Sequence, residues 1–174
     1  MFYHVRTVKP IMKVFNSYGE EIKLLRRLIV AGDIEEGVAI LTNRGFRRKA
    51  IFDESVIYSG AFGGIKETLF SLFFDNSGAI EQVFISIPMI EEWSAIHKEY
   101  LTFRRLLHRT TLFRIDSQKG FAHPYKEGSG DELEAIKSGS CHYISLYRYR
   151  KRLIGLSIGH NQKSPQILIT IVPT

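Results

Sequence analysis

The sequence predicts an α+β fold, a mostly antiparallel sheet with an N-terminal helical hairpin and one long amphipathic helix packed on it. Three observations lead there. Apolar residues recur at spacings of three and four in two separated regions, residues 11–41 and 89–107, the period that lays one face of a helix against a core. Short runs of β-branched and aromatic residues, bounded by Gly, Pro, Asn and Asp, fill much of the remainder. The chain has 174 residues, enough for one core to bury most of its apolar surface, so a single domain over 1–174 is expected, with 9–45 as an alternative helical subdomain.

Residues 2–8, FYHVRTV, alternate and read as a short edge strand closed by Pro10. From Ile11 to Ala31 the spacing of Ile22, Leu25, Leu28 and Ile29 predicts a helix that Gly32 stops and that Gly19 breaks in two. Asp33 with Glu36 is a capping-box pattern, so a second helix starts there and carries Ile34, Val38 and Leu41 on one side. FRRKAIF (46–52) and SVIYS (55–59) are strands joined by a tight turn at Asp53-Glu54. After a flexible Gly-rich connection, Ile65, Leu69, Leu72 and Phe73 give a helical stripe over 65–74, ended by Asn76-Ser77-Gly78. Ile80 to Ile87 is a strand stopped by Pro88. The clearest helix runs from Met89 to Leu107, with Ile90, Trp93, Ile96, Tyr100, Phe103 and Leu107 on one stripe. Thr110 to Ile115 is another strand and 116–130 a polar loop. A short helix follows, capped by Ser129 or Asp131 and ended by Gly139. Residues 141–174 return to strands, with a hairpin turning near Arg150 to Arg152.

Hydrophobic residues make up 44% of the chain and charged residues 24%, which is ordinary globular usage. No apolar run approaches the roughly 20 residues that span a bilayer, so no membrane association is expected. The opening MFYHVRTVKP lacks the basic segment and apolar stretch of a secretory signal, and the lone Cys141 suits a reducing compartment; a cytoplasmic location follows. SGAFGGIK at 59–66 does not meet the Walker spacing, and none of His4, His97, His108, His123, His142 or His160 shows metal-ligand spacing, so neither a metal nor a cofactor is expected. Net charge is +6, unevenly spread: residues 1–88 carry 11 Lys and Arg against 10 Asp and Glu, while 89–174 carry 13 against 8. A C-terminal excess of this kind favours nucleic acid or an acidic protein as partner.

Two clusters hold that excess. In 147–152 the residues Tyr147, Arg148, Tyr149, Arg150, Lys151 and Arg152 interleave rings with cations. Guanidinium groups pair with phosphate and tyrosine rings stack on unpaired bases, although the same charges also suit a solvated hairpin tip that discourages edge pairing. The long helix ends in Arg104, Arg105, His108 and Arg109, with Arg114 beyond; the helix macrodipole favours cations there without any ligand. Should both clusters occupy one face, they form a continuous basic groove. In the strand pattern, Ile144, Leu146, Ile154, Leu156 and Ile158 are core candidates.

His108-Arg109-Thr110 resembles the histidine-x-threonine element of the 2H phosphoesterases, in which two copies each supply a histidine for proton transfer and a hydroxyl for phosphate; a second copy is missing, since His142 has serine three residues on instead of two. YRYRKRLIGLSIGH, Tyr147 to His160, resembles the terminal hairpin of RelE-type ribonuclease toxins, where arginines on sheet strands hold messenger RNA; the likeness covers 14 residues of 174. Both resemblances imply RNA. The leading expectation is a small basic cytoplasmic protein that binds nucleic acid, RNA or single strands, through the hairpin and the end of the long helix. The alternatives are a metal-independent ribonuclease with His108 and His142 as catalytic residues, and a protein-interaction or inhibitor module with an acidic partner.

Overall fold

A computed structural model describes residues 12–111, 113–161 and 164–174, with side chains from Tyr18 onward. The expected strand at 2–8, with His4, lies outside the described residues. In chain order the elements are α1 (Met12–Val30), α2 (Ile34–Asn43), β1 (Arg47–Phe52), β2 (Ser55–Phe62), β3 (Ile65–Phe74), β4 (Ile80–Pro88), α3 (Trp93–Thr111), β5 (Arg114–Gln118), α4 (Glu132–Lys137), β6 (Ile144–Tyr149), β7 (Arg152–His160) and β8 (Pro165–Pro173). The strands form one antiparallel sheet in the order β1-β2-β3-β4-β8-β7-β6-β5. Two four-stranded meanders therefore meet at the β4–β8 pair, and the long helix α3 packs on the sheet. No described helix is long and apolar enough to cross a membrane.

Local chemistry accounts for most boundaries. Asp33 accepts from the Glu36 amide at 2.8 Å while Glu36 accepts from the Gly32 amide at 3.0 Å, so α2 starts where its reciprocal cap lies. Gly19 does not break α1, which runs through it. α3 begins at Trp93, later than expected, because the Met89 amide is still engaged with the Pro165 carbonyl at 3.0 Å and continues the edge of the β4–β8 ladder. At its other end α3 absorbs Thr110 and Thr111, whose hydroxyls donate to Leu106 and Leu107 carbonyls, both at 2.9 Å. The expected strand at 110–115 thus starts only at Arg114 and extends into the expected loop as β5. Asp131 precedes α4 without a side-chain cap bond.

The helix expected at 65–74 is a strand. Residues 65, 69, 72 and 73 fit a helical stripe, but Thr68, Phe70 and Leu72 alternate just as well, and all three are buried in β3. The glycine pair decides between the two periods: Gly63 at φ +59 and Gly64 at φ +82 turn the chain back so that Phe62 pairs with Ile65. Leu69 and Phe73 fall on the other face, 37% and 38% exposed.

The helix-covered face of the sheet carries the core. Ile167, Ile169 and Ile171 of β8, Ile154 and Leu156 of β7, and Val83, Ile85 and Ile87 of β4 form its centre, under Leu25, Leu28 and Ile29 of α1 and Ile96, Phe103 and Leu107 of α3. Phe62 stacks on Phe103 at 5.6 Å and meets Phe70 edge-on at 5.5 Å. Trp93, Tyr100 and Phe121 surround the buried Tyr143. Burial of such rings contributes about 1.5–3 kcal/mol each and is the main force holding α3 to the sheet.

A methyl added at Gly63 would lie 2.9 Å from Cζ of Phe103, whereas nothing stands within 4 Å of one added at Gly64. Both positions have positive φ. Gly64→Ala is expected to lose about 1 kcal/mol from strain alone, and Gly63→Ala about 1–3 kcal/mol more because Phe103 must shift. Urea midpoints of the two variants check this; equal losses would mean that the Gly63–Phe103 approach does not constrain the hairpin.

Candidate nucleic-acid interface

α3 presents Leu101, Arg104, Arg105 and His108 at spacings of three and four, so one flank of the helix carries them all. β5, the edge strand beside β6, brings Arg114 opposite Tyr147, and Phe113 precedes it. These residues line one cleft of about 890 Å³. Among the described residues, no carboxylate lies within ion-pair distance of Arg104, Arg105, His108 or Arg114. Phe113 is 71% exposed at the rim.

Two phenols fix this wall. Tyr147 is fully buried and donates its hydroxyl to the Arg104 carbonyl at 3.1 Å, and the Tyr100 hydroxyl meets Ser145 Oγ at 2.9 Å. Burial pushes both phenols up from their ordinary values; the Ser145 hydroxyl and the guanidiniums of Arg104 and Arg114 pull the other way. Two arginines from different elements therefore act on the same pair of hydroxyls. Arg105 stands at the α1 side, where it offsets the upward push that burial, Glu99 and Glu21 exert on Tyr18.

The sequence-predicted residues divide. Arg104 and Arg105 of the expected set stand in the cleft with His108, and Arg109 follows them at the helix end, exposed. Tyr147, expected as a stacking ring, is 0% exposed and serves as the floor. The guanidinium of Arg152, expected on phosphate, donates to Ile80 O and Ala31 O, both at 3.1 Å, joining the start of β4 to the α1–α2 corner. Burial lowers its pKa from the ordinary value. The hairpin turns at Arg150-Lys151, with Arg150 at φ +54 and its guanidinium 5.7 Å from the Tyr149 ring; Tyr149 is half-buried. Arg148 is exposed on the face opposite Tyr147. Of the hairpin cluster, Arg148 thus points away from the cleft, Arg150 and Lys151 form the turn, and Arg152 is tied to Ile80 and Ala31 on the helix-covered face.

The histidines also separate. His142 lies near the far end of β6, roughly 16 Å from Tyr147 along the extended chain, with its amide on Gly120 O at 2.9 Å. Thr110 is buried with its hydroxyl committed to the helix, so it does not complete a histidine-x-threonine phosphate site with His108. Among the described residues no group of three or more His, Cys, Asp or Glu side chains is arranged to hold a metal ion. Sequence reasoning missed Phe113 and Leu101 in the cleft; the exposed ring flanked by the helix end and a basic strand was the available signal. No protein-family model, curated protein or solved structure matches the chain.

Replacing Arg152 with Met keeps the stem but leaves two carbonyls without their donor, a loss of about 1–3 kcal/mol. Lys151→Met at the exposed turn is expected to stay within about 0.5 kcal/mol of the parent. Equilibrium urea unfolding of the two variants measures the difference, and a neutral Arg152→Met would remove the structural role assigned to that side chain.

Proposed function

We propose that the protein binds single-stranded nucleic acid in the cleft between α3 and β5. One observation carries the reading: three guanidiniums and an imidazole, from two elements, surround a cleft that no carboxylate neutralises among the described residues. Arginine pairs bidentately with phosphate oxygens. The exposed Phe113 ring at the rim offers a stacking platform for a base. A cleft of about 890 Å³ suits a short piece of single strand and falls within the roughly 300–1,000 Å³ of small-ligand sites. The hairpin residues Arg148, Arg150 and Lys151 then act as a solvated tip, and the centre of binding moves from the hairpin to the helix.

Fluorescence anisotropy with a labelled oligouridylate, across a salt series, tests this. Arg104→Glu with Arg114→Glu is expected to lower affinity more than about 100-fold and to flatten the salt dependence. Phe113→Ala is expected to cost about 1–3 kcal/mol of binding. Undiminished binding by a folded double variant overturns the reading. His108 lines the same cleft, so the RNA is also recovered after incubation in EDTA; intact RNA fits a binder, and cleavage lost in His108→Ala would make the site a nuclease centre.

A further inference from the structure

We infer a second anion-binding subsite across the helical layer, which makes the ligand an extended single strand reaching beyond one cleft. The inference rests on the proposed function above. The groove between α1 and α2, about 460 Å³, is lined by Lys23, Arg26, Arg27 and Arg44, with Glu20 as the one acid among the described residues. Four cations against one carboxylate leave +3 in the groove. Lys23, Arg26 and Arg27 stand at spacings of three and four and so share one side of α1, while Arg44 arrives from the C-cap of α2. Glu20 holds Lys23 at 2.8 Å and Arg44 at 3.3 Å, both in exposed pairs that water screens heavily, so it orders the rim more than it cancels the charge.

Arg26 joins the groove to the cleft. Its guanidinium donates to Arg109 O at 3.0 Å and Thr110 O at 3.2 Å, the last carbonyls of α3. A bare helix C-terminus carries about half a negative charge and would interrupt a path for phosphates. Arg26 covers that end, one residue beyond His108 of the first cleft, so positive potential continues from Arg114 and Arg104 over the end of α3 to Arg27 and Arg44. Glu21 and Glu99 act on Tyr18, as Arg105 does, and are not among the described residues lining either groove. A polyanion with evenly spaced charges and a flexible backbone fits this track, and a mononucleotide does not need it.

The test compares labelled oligouridylates of about four and about twelve nucleotides, bracketing the site sizes of single-strand binders. The parent should bind the longer strand at least about tenfold more tightly, with a steeper salt dependence. Arg27→Glu, and separately Lys23→Glu, should remove that advantage while leaving the short strand bound as before; unchanged melting temperatures show that both variants fold. The Arg104→Glu, Arg114→Glu double variant should weaken both strands. Equal affinity for both lengths, or a longer-strand advantage that survives Arg27→Glu and Lys23→Glu, overturns the second subsite while the first cleft stands. Failure of the parent to bind either strand overturns both.

Discussion

The placement of α3 against β6 governs the rest of the molecule. Apolar packing of Ile96, Phe103 and Leu107 presses the helix onto the sheet without specifying its axial position. The two phenols supply that: Tyr100 to Ser145 and Tyr147 to the Arg104 carbonyl are directional bonds in a buried setting, where a mismatch would strand a hydroxyl. Because the acceptor of Tyr147 is the backbone of Arg104 itself, the strand holds the root of the arginine that faces the cleft. The charge of the site and the order of the core are thus set by the same pair of contacts.

Much of the architecture is legible in the sequence wherever one local rule acts alone. The stripe of α3, the Asp33 cap, the Pro88 stop and the turn near Arg150 all follow from periodicity or turn chemistry. Failures come where two rules compete. In 65–74 a helical and a strand period coexist, and only the paired glycines distinguish them. In the C-terminal hairpin a single alternation cannot be carried through the turn. Tyr149 pairs with Arg152, so odd positions of β6 share a face with even positions of β7. Tyr143, Ser145 and Tyr147 consequently point inward with Ile154, Leu156 and Ile158, while Ile144 and Leu146, expected in the core, are half-buried on the other side. Tyrosine hides this reading because its ring buries well once its hydroxyl finds a partner.

The site was legible only in part, for an electrostatic reason. Counting charges along the chain exposed the C-terminal excess but rated residues 1–88 nearly neutral at 11 against 10. Charges act through space, and the acids of that half are not distributed over its basic side: among the described residues, Lys23, Arg26, Arg27 and Arg44 share a groove with Glu20 as the one acid. Conversely, the densest basic run, Arg148 to Arg152, is divided by the hairpin between a solvated face, a turn and a structural bolt.

β8 has a consequence for how the protein is made. It emerges from the ribosome after the other seven strands, yet its place is at the middle of the sheet, between β4 and β7. Until then β1–β4 and β5–β7 are partial sheets, each with an open inner margin, and Val83, Ile85, Ile154 and Leu156 lack the isoleucines they finally pack beside. The nascent chain thus holds two sticky edges apart for the time needed to add one strand, a window in which edge pairing between neighbouring chains competes with completion. Closure is late and joins residues distant in sequence, as Val83 with Ile171, so it should be slow relative to hairpin formation. The strand that unites the halves therefore also sets the interval during which the cell must keep them from meeting the wrong partner.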